Sequence, residues 1–301
     1  MLALTKHFFT RFPPGIIVAI SLLFILWLQW ALKTDNFSQL VFSHGGFILL
    51  GVIGAIFANS SGAGGGVIFI PAFSALAFSP QEAISTSFLI QCFGMTAGSL
   101  TWIHYYRKQH HKNREWHGFV PFVLCCALFS IAGLWFSHIN HFTAPVSLHL
   151  SFSLFSISLG LVIIFNSLRS INQTRQPTKK HLIIDGLALS GVSFIGGIIT
   201  AWLSVGVGEI IVIYLMLRGY CTKLSIATGV VVSAITVWSA TPITLSEQSL
   251  ANFEVLLFAG PGALIGGLIA KRIALLFSVT KLKLFFSFWI IFTGSVMLVI
   301  N

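Results

Sequence analysis

Charge is what this chain has least of. Only 8% of its 301 residues are charged, and a soluble domain of this size carries about 25%. Acidic groups are scarcest, with 7 Asp and Glu in total, and no paired-carboxylate or Ser/His/Asp arrangement stands out. The chain is therefore read as a non-enzyme. Cysteine is equally thin. Cys92, Cys125, Cys126 and Cys221 form no CxxC pair and lie within or beside apolar segments, so they read as small packing residues, with no metal or cofactor expected. The short alternating segments of a β-barrel are missing too. With too little polar surface for water, one helical membrane domain and no soluble domain remains.

What is present is apolar length. Hydrophobic residues make up 56% of the chain, and mean hydropathy is +0.93. A run of ~20 apolar residues spans a bilayer as a helix. Such segments fall at 15–32, 45–59, 62–78, 83–103, 118–138, 146–168, 182–203, 206–217, 224–243, 254–270 and 282–300. The first follows Lys6 and Arg11, exceeds the apolar stretch of a cleaved signal and lacks a small-residue cleavage site, so it reads as a retained transmembrane helix. The pairs 45–59/62–78 and 182–203/206–217 are interrupted by small and polar residues.

The formal net charge is +10, which in a soluble protein would suggest nucleic acid. Here the basic residues sit in short loops, and orientation in the membrane accounts for them without a nucleic-acid partner. With the N-terminus inside, the basic stretches Arg107–Arg114, Arg169–Lys180 and Lys271–Lys283 all fall on the cytoplasmic side. That agreement requires each interrupted pair to return to the side it entered from, as a hairpin does. His104, His110, His111 and His117 share the first basic loop, and a solvated interfacial loop explains them better than a metal site.

The chain also repeats itself. A shift of about 142 places Gly54 on Gly196, Gly64 on Gly206, Gly66 on Gly208 and Thr86 on Thr228. After residue 117 the shift becomes about 134, and Gly160 falls on Gly294. One half begins outside and the other inside, so the halves are inverted. Inverted repeats with interrupted helices are a transporter signature, and the interruptions point to the binding site.

At those interruptions, "SSGAGGG" and "LSVGVGE", regular helix stops and restarts. Each restarting helix presents free N–H groups and the positive end of its dipole, which together make an anion site. The candidate substrate ligands are Asn59, Ser60, Ser61, Gly62, Gly64, Gly65 and Gly66 in the first half, with Gln91 one helix further on. In the second half they are Trp202, Ser204, Gly206 and Gly208. The blander reading makes the glycines close-packing positions. Glu209 follows the second break in an apolar context. Either it takes up a proton as the anion binds or leaves, or it only satisfies local N–H groups.

The stretch "GVIGAIFANSSGAGGGVIFIPAFSALAFSPQEAISTS" at 51–87 resembles the glycine-rich signature of the TauE/SafE sulfite exporter family. The matching elements are Gly62, Gly64–Gly66, Pro71, Ala83, Thr86 and Ser87. A second copy at 191–229 is similar but degenerate: Ser204 and Val207 stand where glycines are expected, and Ile213 where proline is. The resemblance implies transport of sulfite, sulfonates or related sulfur compounds. The expectation is an all-α polytopic protein of a bacterial inner membrane, with two inverted repeats containing interrupted or re-entrant hairpins and an extra N-terminal helix. Residues 1–44 form that helix and an external loop, 45–168 the first repeat, 169–181 a basic cytoplasmic linker and 182–301 the second repeat. The expected function is secondary transport of a small sulfur-containing anion, probed against an anion channel of the same fold and a membrane-embedded enzyme or assembly factor. Partners are the anion and membrane lipid, with a homo-oligomer left open.

Overall fold

The computed structural model describes residues 14–34, 37–144, 146–172, 182–246, 249–277 and 279–299. Lys6 and Arg11, and the 173–181 part of the basic linker, lie outside the described residues. Every regular element described is helical. In chain order the α-helices are α1 (Pro14–Lys33), α2 (Phe37–His44), α3 (Phe47–Ser61), α4 (Gly66–Ala75), α5 (Pro80–Tyr105) and, after a π-helical turn at Tyr106–His110 and a 3-10 turn at Arg114–Trp116, α6 (Phe119–Ile139). There follow α7 (Leu148–Asn172), α8 (Leu182–Leu203), α9 (Val207–Leu217), α10 (Thr222–Ser239), α11 (Thr241–Thr244), α12 (Phe253–Leu276) and α13 (Val279–Val299). Among the described residues six helices are long and apolar enough to cross a membrane: α5 to α8, α10 and α12. α2 and α3 together would make a seventh, bent by 57°. Residues 37–44, expected as loop, thus form a helix.

Local chemistry sets the boundaries. Ser79 accepts from the Glu82 N–H at 3.3 Å and Pro80 occupies the first turn of α5, a polar cap followed by the residue best suited to that turn. The Asn252 side chain accepts from the Val255 N–H at 3.0 Å and starts α12. Its own backbone N–H donates to Thr86 Oγ1 at 2.8 Å, which fixes the start of α12 against α5.

The core forms around α5 and α10, the most enclosed of the long helices, with α3 and α12 packed on one side and α6 and α8 on the other. Small residues permit this closeness. A Cβ added at Gly94 on α5 would lie 2.9 Å from Ala55 of α3 and 3.2 Å from Ala263 of α12. α7 and α13 pair with each other at the periphery, and Phe57 of α3 meets Phe285, Phe286 and Trp289 of α13.

A buried polar cluster ties α8 to the turn after α9. Asp185 is fully buried and accepts from Arg218 Nε at 2.6 Å, Tyr220 Oη at 2.7 Å and Tyr214 Oη at 3.2 Å. Replacing Tyr220 by Phe removes one hydrogen bond to a charged acceptor. The expected loss is about 1.5 kcal/mol, read as a lower unfolding midpoint of the purified protein in detergent.

Candidate functional site

Two helical breaks meet in the bundle interior. The first separates α3 from α4. Its opening residue, Gly62, has φ +86°, a left-handed conformation that glycine adopts freely, and its N–H closes the end of α3 on Ala58 O at 2.9 Å. The second separates α8 from α9 and contains two positive-φ residues, Ser204 at 57° and Gly206 at 147°. The breaks touch: a Cβ added at Gly66 would lie 2.5 Å from Ser204 O, and one at Gly208 would lie 2.5 Å from Gly62 O.

A single carboxylate bridges them. Glu209, 1% exposed, accepts from Gly64 N–H at 2.7 Å through Oε1 and from Gly206 N–H at 2.8 Å through Oε2. Each oxygen is thus held by one break. Glu209 stands at the third position of α9, where the free N–H groups and the dipole favour a negative group. Both alternatives raised for it from sequence remain compatible with this contact, but the N–H it reaches is not only local: Gly64 is 145 residues away.

Gln91 makes a second bridge. Its Oε1 accepts from Gly65 N–H at 2.7 Å, and its Nε2 donates to Ser204 O at 3.0 Å, Ser204 Oγ at 2.9 Å and Ser87 Oγ at 3.1 Å. Ser204 Oγ donates in turn to Ser87 Oγ at 2.9 Å. This explains a serine where the first-half pattern has glycine. A left-handed non-glycine residue costs of order 1 kcal/mol, and the hydroxyl offsets that with bonds glycine cannot make. Thr200 Oγ1 accepts from Val207 N–H at 3.0 Å and so takes up one donor of α9. Among the described residues no hydrogen bond is made by the N–H groups of Gly66, Val67 and Gly208 at the two helix starts.

Gly62, Gly64, Gly65, Gly66, Gln91, Ser204, Gly206, Gly208 and Glu209 therefore come together. Other candidates do not. The Asn59 amide donates to Ala55 O at 2.8 Å and Gly94 O at 3.2 Å, and its side chain fills the space over Gly98, one to two turns further along α5 than Gln91. The Ser60 and Ser61 hydroxyls return to Phe57 O of their own helix, at 3.2 and 2.7 Å. Trp202 points away from the breaks and donates to Phe142 O at 2.8 Å. Ser87 was visible only as part of the family signature. Its spacing of four from Gln91 on one helix face was the available signal.

Gln91→Leu strands the buried Gly65 N–H and the Ser204 carbonyl together. We expect a stability loss of about 2 kcal/mol and transport reduced far beyond that of Asn59→Leu, checked by unfolding midpoints and initial uptake rates on the same preparations.

Apolar helices that break and meet inside a bundle, with backbone donors at the breaks, are a recurring feature of membrane transporters. The chain belongs to the Sulfite exporter TauE/SafE family, whose model matches residues 47–297. It is accordingly an integral membrane protein of a transporter family. No curated protein and no solved structure matches it.

Proposed function

We propose that the chain is a secondary transporter of a small sulfur-containing anion, sulfite or an organosulfonate, with its substrate site at the junction of the two breaks. The observation that carries this reading is the Glu209 carboxylate, gripped by one N–H from each break. A group that holds two carboxylate oxygens without lysine or arginine has the chemistry to hold a substrate oxyanion. The Gly66, Val67 and Gly208 N–H groups supply further donors for a third oxygen.

Two negative groups cannot share those donors in a low-dielectric interior. Substrate therefore competes with Glu209. Protonation of Glu209 removes its charge, weakens its hold on Gly64 and Gly206, and frees both N–H groups for the anion. Release of the anion lets the carboxylate lose its proton and return. One proton then travels with one anion. Residues 45–168 and 182–301 act as inverted repeats that rock about this junction, joined by the 169–181 linker. The basic loops and N-terminus face the cytoplasm of a bacterial cell, and the protein lies in the inner membrane.

The test is uptake into liposomes carrying the full-length protein, with sulfite, sulfoacetate, thiosulfate and sulfate each supplied with and without an imposed pH gradient. Saturable accumulation of a sulfite-type or sulfonate anion above its external concentration, driven by the gradient, is expected. Flux that only runs down the anion's own gradient would instead mark an anion channel.

A further inference from the structure

A cavity of about 280 Å³ opens at the end of the bundle where α5 begins and α6, α8 and α10 end. At ~30 Å³ per water that is room for about nine waters, or for a small anion with part of its hydration shell. It belongs neither to the breaks nor to the contacts of Glu209. Phe88 and Ala201 are part of its lining. Phe88 follows Ser87 in the chain, and Ala201 precedes Ser204 by three residues, so the cavity is lined by the same two helices that carry Ser87 and lead to Ser204.

The lining has a distinctive chemistry. It contains no carboxylate and no lysine or arginine. Ser85, His138, His141 and Thr143 line it, and the last three are solvent-exposed, so their polar atoms are open to a ligand entering from outside. Other polar groups in the wall are already used: the Trp202 indole N–H and the Ser137 hydroxyl both go to Phe142 O, at 2.8 and 3.3 Å. Four side chains with donor capacity converge here with no carboxylate to repel an anion.

The geometry points to a second anion site in this cavity, a vestibule where the transported oxyanion is held by hydroxyl and imidazole donors before it displaces Glu209 from the breaks. This rests on reading the chain as an anion transporter. The hydrogen bonds among Ser87, Ser204 and Gln91 tie α5, which lines the vestibule, to the second break, and Trp202 lies in the vestibule wall two residues before Ser204. An anion in the vestibule therefore sits beside the element that must move to admit it.

The test uses the full-length protein in lipid nanodiscs, with methanesulfonate as probe and intrinsic fluorescence as readout. The part of the signal due to Trp202 is isolated by comparison with Trp202→Phe. A saturable change in that part is expected, and His138→Phe and Thr143→Val should each weaken its midpoint roughly tenfold, as loss of one hydrogen bond to a charged group does. In liposomes the same two variants should raise KM and leave kcat unaltered. Unfolding midpoints equal to that of the parent protein identify the effect as recognition. If Trp202 reports nothing, or if both variants titrate like the parent, the vestibule proposal is overturned even if Glu209→Gln still alters coupling. If the vestibule titrates as expected but Glu209→Gln transports normally, the junction mechanism fails and the vestibule stands.

Discussion

Glu209→Gln abolishes accumulation driven by a pH gradient and leaves passive exchange of the anion across the same liposome membrane. The reason lies in the two bonds that Glu209 makes. Oε1 holds the Gly64 N–H and Oε2 the Gly206 N–H. In glutamine one of these positions becomes an NH2, which faces an N–H and cannot accept from it. Two hydrogen bonds to a charged acceptor are weakened or lost, at about 1.5 kcal/mol each, so the self-occupied junction is destabilised by about 3 kcal/mol. The neutral amide has no proton to gain or give. Anion binding no longer requires protonation, and the link between the two fluxes disappears. Counterflow of labelled against unlabelled sulfoacetate measures the exchange, and an imposed pH gradient measures the coupling. Retained uphill accumulation in the variant would show that Glu209 only satisfies its neighbours.

Gly66→Ala and Gly208→Ala should each reduce transport to about 1% or less. At Gly66 the new methyl would sit 2.5 Å from Ser204 O, and at Gly208 it would sit 2.5 Å from Gly62 O. The Ser233 hydroxyl, which also crowds Gly208, can rotate away, but Ser204 O and Gly62 O are backbone atoms of the opposite break and no side-chain rotation relieves those clashes. Forcing extra carbon into a packed interior costs about 1–3 kcal/mol, and here the strain falls on the surfaces that have to hold the anion. At the upper end that is about a hundredfold in a binding or rate constant. Gly191→Ala is the matched control, because nothing lies within 4 Å of its added methyl. It should transport like the parent, and all three variants should be assayed at equal protein per liposome.

Much of this architecture is legible in the sequence, for identifiable reasons. Apolar runs gave the helices because in a membrane the backbone must satisfy itself within each segment. The segment expected at 182–203 coincides with α8, and that at 118–138 differs from α6 by one residue at each end. The glycine clusters marked both breaks because left-handed backbone and close approach demand small residues there. Residues 37–44 escaped notice as a helix. Their mixture of polar and apolar side chains over eight residues carries no membrane-length signal, and α2 packs against α12, far along the chain. The site was only half legible. That Gly64, Gly206 and Glu209 share one hydrogen-bonded unit depends on contacts 145 residues apart, which no local pattern encodes. Asn59 and Gln91 look equivalent as buried amides. Only packing decides that one serves the breaks and the other spans α3 and α5.

The most direct measurement is to locate the anion itself. Selenite has the shape and charge of sulfite, and its selenium can be placed by anomalous diffraction from crystals of the full-length protein grown at low pH. The account predicts a selenium peak at the junction, with selenite oxygens about 3 Å from the N–H groups of Gly64 and Gly206 and the Glu209 side chain turned away from both. Saturating selenite that leaves Glu209 on those two groups, with no selenium between the breaks, would contradict it.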